Sequence, residues 1–194
     1  MPAPEVIKKA ARIVLNGGVI AYPTEGVYGL GCLPDDWRAV DRLLTIKGRS
    51  SKAGLILIAP DYELVAAWLA PTQQEYERIT AANHASINAP VISPITWVVT
   101  AAPGTPDWLT GGRSTLAIRL TEHPIVARLC TEIGGAITST SANRSGRPAA
   151  RSSLTARRQL GRDLDFVLPG PLGNATGPSE IRMAQDNQVL RRAK

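Results

Sequence analysis

Apolar residues at Val6, Ala10, Ile13 and Val14 recur at helical spacing, and Asn16-Gly17-Gly18 supplies a stop. The continuous apolar run Val19-Ile20-Ala21-Tyr22 then reads as a buried strand. Asp35-Asp36 can cap a second helix carrying the stripe Val40, Leu43 and Leu44, with Lys47 at its end and Gly48 closing it. Leu55-Ile56-Leu57-Ile58 is a second buried strand, ended by Pro60-Asp61. Helical patterns are predicted over 62–69 and 72–83, with strands over Thr96–Thr100 and Leu116–Leu120 after them. A helix from Pro124 to about Ile133 closes at Gly134-Gly135 and leads into the strand Ala136-Ile137-Thr138-Ser139. A last helix over 154–161 and short strands near 165–168, 180–183 and 188–191 complete the chain. Helices and strands alternate without a Gly/Ser linker or an internal repeat. This predicts one α/β domain over 1–194, an open mixed sheet flanked by helices.

Composition narrows the class. A chain of 194 residues with 44% hydrophobic content is large enough to bury a core without staples. No run approaches the ~18–20 consecutive apolar residues of a membrane helix. Met1-Pro2-Ala3-Pro4-Glu5 does not open a secretory signal, so the expectation is a cytoplasmic protein without a membrane partner. Cys32 and Cys130 are the only cysteines; they cannot make a zinc site by themselves, and no resident metal is expected. The net charge of +6 is concentrated in Arg144, Arg147, Arg151, Arg157, Arg158 and Arg162. Such a cluster serves either a polyanion such as RNA or simple solvation, and the absence of interleaved aromatics argues against base stacking.

Polar groups gather where the predicted strands end. The run Thr138-Ser139-Thr140-Ser141-Ala142-Asn143 follows the apolar Ala136-Ile137, so hydroxyls and an amide stand at the end of a buried element. Read alone, it is equally a Ser/Thr/Asn turn. If it is extended, Ser141 and Asn143 share one face. Pro23-Thr24-Glu25-Gly26 with Tyr28-Gly29-Leu30-Gly31 is a glycine-punctuated loop that matches neither a dinucleotide fingerprint nor a P-loop. Glu25 within it is open to a solvated or capping role. Lys47 and Arg49, two apart, would point the same way from an extended backbone with Cα atoms about 6.5–7 Å apart, suiting neighbouring phosphates. Lys47 serves equally as a cation closing a helix. Arg119 is the one charge in its strand, explained by an anion or by a solvent-facing edge. Glu180 and Arg182 share a face and have the spacing of an ion pair.

Together these motifs resemble the YrdC/Sua5 family. The resemblance runs through Ile20–Glu25, Tyr28–Gly31, Lys47-x-Arg49, Gly54–Ile58, Pro94-x-Thr96, Arg119, Ser139–Gly146 and Pro178–Arg182, covering nearly the whole chain in one order. It implies a twisted, open YrdC/RibB-like sheet with a positively charged concave face. It also implies condensation of L-threonine, bicarbonate and ATP into threonylcarbamoyl-AMP and pyrophosphate, with Mg²⁺ carried by ATP. The product would feed a separate transferase complex that makes the t6A modification of tRNA, with direct tRNA or RNA contact also possible for such a chain.

On this resemblance Lys47 and Arg49 are catalytic, while Ser141 and Asn143 complete the nucleotide site. Thr24 and its loop hold threonine, Arg119 and Ser139 line the same cavity, and Thr96 and Arg182 belong to matching binding motifs. The chain departs from the family pattern in three places. Val91-Ile92-Ser93 replaces the usual Trp-Pro-Gly, Ser50 replaces the proline after K-x-R, and the following lysine comes one place early as Lys52. An RNA-binding module of the same fold without synthase activity is the alternative, and a carbamoyl-transfer relative acting on another amine or thiol is a third.

Overall fold

The computed structural model describes residues 1–85 and 94–193. Helix α1 (Pro4–Leu15) leads into the hairpin of β1 (Ile20–Pro23) and β2 (Tyr28–Gly31), and α2 (Trp37–Lys47) follows. Strand β3 (Ile56–Ala59) comes after a 3₁₀ turn at Ser51–Ala53. Helix α3 (Gln73–Ala85) precedes β4 (Ile95–Thr100), α4 (Asp107–Thr110), β5 (Thr115–Leu120) and α5 (Pro124–Ile133). The chain continues through β6 (Ile137–Ser141), α6 (Ser153–Leu160), β7 (Phe166–Val167), β8 (Glu180–Met183) and β9 (Val189–Arg191).

The described strands form one sheet in the order β7-β1-β2-β6-β3-β5-β4-β8-β9. It is mixed: β1–β7, β3–β5 and β4–β8 are parallel and the remaining neighbours antiparallel. Alternation along each strand divides the core between the two faces. Ile20, Tyr22, Ile58 and Ile137 pack with Ile7, Val14, Ile125 and Leu129 of α1 and α5. Ala21, Leu30 and Leu57 pack with Val40, Leu43, Ala156 and Leu160 of α2 and α6.

Local chemistry sets the element ends. Asp36 accepts from the amides of Arg38 and Ala39 at the start of α2. At α3, Glu75 accepts from Thr72 N while Thr72 Oγ1 accepts from Glu75 N, a reciprocal cap.

Two expectations fail for tertiary reasons. The predicted helix over 62–69 reduces to a 3₁₀ turn at Ala66–Trp68. Its backbone is drawn to the end of β4 instead, through Ala70 N to Thr100 O, Ala102 N to Trp68 O and the bridge Leu69–Ala101. The glycine-punctuated stretch after Glu25 contains a true strand, β2, whose glycines fit where neighbours leave no room. A Cβ at Gly31 would lie 2.4 Å from Thr138 O. The altered segment Val91-Ile92-Ser93 falls outside the described residues.

Candidate active site: a guanidinium-walled cavity across the sheet

A cavity of about 610 Å³ opens over the central strands, a size suited to a small-molecule substrate. Five of the residues singled out in the sequence line it: Thr24, Arg49, Arg119, Ser139 and Ser141. Lys47, Thr96, Asn143 and Arg182 are not on its surface, and each is occupied elsewhere.

Lys47 is the last residue of α2, and Gly48 follows in the left-handed conformation. The backbone at Lys47-x-Arg49 is therefore capped helix rather than strand, and the two side chains part. Lys47 Nζ lies 2.6 Å from Ser141 O, 3.1 Å from Ser141 Oγ, 3.3 Å from Asn143 O and 2.9 Å from Asn143 Oδ1. Ser141 Oγ in turn donates to Asn143 Oδ1 at 2.6 Å, and Asn143 Nδ2 donates to Arg144 O and Arg147 O. The carbonyls left open at the end of α2 are met by the same loop, Ile46 O by Arg144 and Lys47 O by Ser145 N. Burial, with help from Arg49, lowers the Lys47 pKa to about 8, so it remains mainly a cation at neutral pH. Ser141 and Asn143 do come together, but through a turn that folds back, with Asn143 N donating to Ser141 O, and not through an extended strand.

Arg49 points the other way. Its Nη1 reaches Thr140 Oγ1 at 3.4 Å and its Nη2 reaches Ala53 O at 3.3 Å. Burial and the nearby Arg113 both disfavour its charge, lowering its pKa.

At the opposite end of the cavity is Arg119, only 7% exposed. Strand β5 lies between β3 and β4, so the solvent-facing edge considered for this arginine does not apply. Its Nη2 stands 3.6 Å from Glu25 Oε2, while its Nε has no partner. Glu25 Oε1 accepts a short hydrogen bond from Thr121 Oγ1. Burial alone would raise the Glu25 pKa, but Arg119 and the Thr121 hydroxyl outweigh it and hold the carboxyl below its ordinary value.

The Thr24–Gly26 loop is held from above by the segment 170–178. Gly173 N donates to Thr24 O, Ala175 N to Glu25 O, and a Cβ on Gly26 would meet Gly177 O at 2.1 Å. Within the loop Thr24 Oγ1 donates to Val27 O, so its hydroxyl proton is used and only acceptor capacity is left.

Thr96 is fully buried, and its hydroxyl bonds Ser179 Oγ at 2.7 Å; Ser179, not Thr96, lines the cavity. Arg182 is engaged with Glu180 at 2.5 Å and Asn187 at 3.0 Å.

Sequence reading missed Arg113, Arg191 and Ser179, and it left Thr140 without a site role, yet all four line the cavity. Thr140 was adjacent to the recognised run, so its place beside Ser139 and Ser141 was the readable signal. Arg191 donates to Ser179 O at 2.8 Å and feels the charges of Arg49 and Arg119. Among the described residues, Arg49, Arg113 and Arg191 form no ion pair, and the cavity lining carries no carboxylate. Such a wall calls for an anionic ligand.

The Sua5_yciO_yrdC family model, described by the words "Telomere recombination", matches residues 12–193. The chain belongs to the Sua5/YciO/YrdC family. It is 46% identical over 185 residues to the threonylcarbamoyl-AMP synthase of Nitrosococcus oceani, covering 95% of this chain and 96% of that one. It is 45% identical over 186 residues to the protein of the same name from Halorhodospira halophila, covering 96% and 94%. Among solved structures it resembles P. abyssi Sua5 complexed with L-threonine, with a TM-score of 0.84 at 26% identity over 97% of this chain. The match takes in 54% of that Sua5 chain, so this chain spans about half its length. E. coli YciO shares the fold, with a TM-score of 0.82 at 24% identity over 100% of this chain and 91% of that one.

Proposed function

We propose that this Sua5/YciO/YrdC chain is a threonylcarbamoyl-AMP synthase, an enzyme that joins L-threonine, bicarbonate and ATP. The observation that carries this reading is the cavity itself. Guanidiniums without ion pairs meet the hydroxyls of Thr24, Ser139 and Ser141 in it, and among the described residues that line it no nucleophile is paired with a base. Relatives bearing the synthase name are similar over nearly their full length, and a neighbour of the same fold is a complex with L-threonine.

In this mechanism the neutral amine of threonine adds to the carbon of CO₂ formed from bicarbonate and loses a proton, giving a carbamate. A carbamate oxygen attacks the α-phosphorus of ATP, the bond to the bridging oxygen breaks, and pyrophosphate leaves. The net products from bicarbonate are threonylcarbamoyl-AMP, pyrophosphate and water. The protein contributes placement and charge stabilisation. We assign Thr24, Arg119 and Ser139 to the threonine end. Arg49 and Ser141 go to the phosphates, with Lys47 and Asn143 holding Ser141 from behind. Thr96 supports Ser179, and Arg182 stiffens the β8–β9 hairpin that carries Arg191.

Among the described residues no cluster of three His, Cys, Asp or Glu side chains could hold a metal ion. Mg²⁺ would come with the triphosphate and would neutralise charge on the departing pyrophosphate beside Arg49. No helix of the described residues is long and apolar enough to cross a membrane. We place the reaction in the cytoplasm, read residues 1–194 as one domain, and assign the product to a t6A transferase complex acting on tRNA.

The test is pyrophosphate release from ATP and bicarbonate, with and without L-threonine. Release should require threonine and fall about 10²-fold or more in Arg49→Ala and Asn143→Ala proteins that remain folded. Threonine-independent release, or none from folded wild-type protein, would sink the proposal. Strongly salt-dependent RNA binding untouched by those substitutions would instead favour a binding module.

A further inference from the structure

Arg113 lies outside every motif of the chain, in the polar stretch Gly111-Gly112-Arg113-Ser114, yet the structure gives it a prepared seat. Its Nη1 donates to Lys52 O and its Nη2 to Ala53 O, both at 3.1 Å. The seat is cut from two glycines in the left-handed region, Gly54 at φ +67° and Gly111 at φ +69°. A Cβ on Gly54 would stand 2.7 Å from Arg113 Nη2 and 3.0 Å from Leu109 O, and one on Gly111 2.5 Å from Lys52 O and 2.9 Å from Arg113 Nη2, so backbone and guanidinium together leave no room for a side chain at either.

Ala53 O also accepts from Arg49 Nη2. Two guanidiniums thus converge on one carbonyl at the cavity wall, and among the described residues neither has a carboxylate partner. Like charges held this close repel, and an anion bridging them removes the cost. Lys47, the cation that the sequence pairs with Arg49, is meanwhile enclosed by four oxygens of Ser141 and Asn143.

Position along the cavity says which part of the ligand the pair meets. Arg119 is opposite Ile58 in the β3–β5 register, whereas Ala53 lies five residues earlier. Ile58 is inside β3 while Ala53 belongs to the 3₁₀ turn that precedes it, so the two groups stand at different positions along this strand. Threonine assigned to the Arg119 end puts the reacting α-phosphorus between them and the departing phosphates beside Ala53.

We propose that Arg113 is a second phosphate anchor of the cavity, acting with Arg49 on the end of the triphosphate that leaves as pyrophosphate. This rests on the reading of the cavity as an ATP site. The test is calorimetric binding of inorganic tripolyphosphate to the whole chain, alongside KM for ATP and for threonine. Arg113→Gln should weaken tripolyphosphate about tenfold or more and raise KM for ATP in step, leaving KM for threonine unchanged. Arg113→Lys should recover only part of the loss, because an ammonium cannot fill the planar fork. Arg158→Gln, on the exposed face of α6, should change nothing.

Tripolyphosphate affinity of Arg113→Gln within twofold of wild type would overturn the proposal, even if its melting temperature drops, since the arginine would then only pin the turn. An equal loss in Arg158→Gln would also overturn it, as an effect of overall charge. Should Arg113→Gln not fold, Arg113→Lys decides, with a loss of threefold or more expected and an unchanged affinity fatal. Arg113-dependent tripolyphosphate binding without threonine-dependent turnover would sink the synthase reading and keep the anchor. Normal turnover with an unaffected Arg113→Gln would sink the anchor alone.

Discussion

At the end of α2 the ammonium of Lys47 is wrapped by four oxygens of Ser141 and Asn143, whereas two residues later Arg49 faces a cavity in which, among the described residues, Arg113 and Arg191 likewise have no carboxylate partner. The first region is complete in itself: every proton of the cation has an acceptor, and the loop after β6 is tied to the helix end. The second is held differently: Arg49, Arg113 and Arg191 are fixed by backbone carbonyls and, among the described residues, none has a carboxylate partner. A closed polar network contributes to folding. An open cationic wall stores repulsion that a ligand relieves, so the two regions should respond oppositely to loss of charge.

Arg49→Ala should produce the largest effect and the clearest split. Threonine-dependent pyrophosphate release should fall about 10²-fold or more, about 3 kcal/mol of transition-state stabilisation. The urea midpoint should hold or rise, because a cation repelled by Arg113 and Arg191 has been removed. A midpoint that drops as far as activity would erase the distinction between wall and network.

Lys47→Met should act the other way, lowering stability by about 3 kcal/mol, since several buried acceptors lose their donor at about 1–3 kcal/mol each while the desolvation cost of the ammonium is recovered. Its pH dependence has a definite sign. The folded pKa is about 8 against 10.5 for the free side chain, so between those values the unfolded chain binds more protons. Stability of the wild type should therefore rise with pH through this window, relative to Lys47→Met. Urea titrations at pH 7.5 and 9.5 on both proteins check it; a parallel response would remove Lys47 as the cause.

This contrast marks what the chain makes legible. Apolar periodicity reports burial, so α2, α5, β3 and β5 could be read nearly to the residue. The polar run at the end of β6 was visible because five of its six residues carry hydrogen-bonding side chains. The division of labour within Lys47-x-Arg49 was not, because it depends on Gly48 capping the helix and turning the backbone. Arg113 and Arg191 were invisible for a further reason: each occupies a polar segment without periodicity. Arg113 acquires its place from Gly54, 59 residues earlier, and Arg191 from the pairing of β9 with β8. Sheet order, which no local pattern encodes, put them at one cavity.

Glu25→Gln tests the carboxylate that faces Arg119. The substitution keeps the Thr121 contact but removes the charge facing Arg119, at a cost of about 2 kcal/mol for a hydrogen-bonded, charged group. The folded pKa is depressed, so this contribution is present above the ordinary carboxylate value near 4.5 and is lost as pH falls through the lower folded value. The stability gap between wild type and Glu25→Gln should accordingly close in acid. A gap independent of pH would assign the effect to packing.

The smallest effects come from two neighbours on β6 and repeat the comparison on a single strand. Thr138 is fully buried; its Oγ1 accepts from Cys32 N at 2.9 Å and donates to Cys32 O at 3.2 Å. Thr138→Val leaves the Cys32 amide without that acceptor and should cost about 1–2 kcal/mol of stability with KM for ATP unchanged. Thr140 lines the cavity, and its one bond to Arg49, at 3.4 Å, is long. Thr140→Val should leave stability within about 0.5 kcal/mol and raise KM for ATP about twofold to fivefold, because the lost contact only orients a guanidinium whose other anchor, Ala53 O, remains. Equal losses of stability in both variants would mean that β6 is one structural element throughout, with no change of role between its core end and its cavity end.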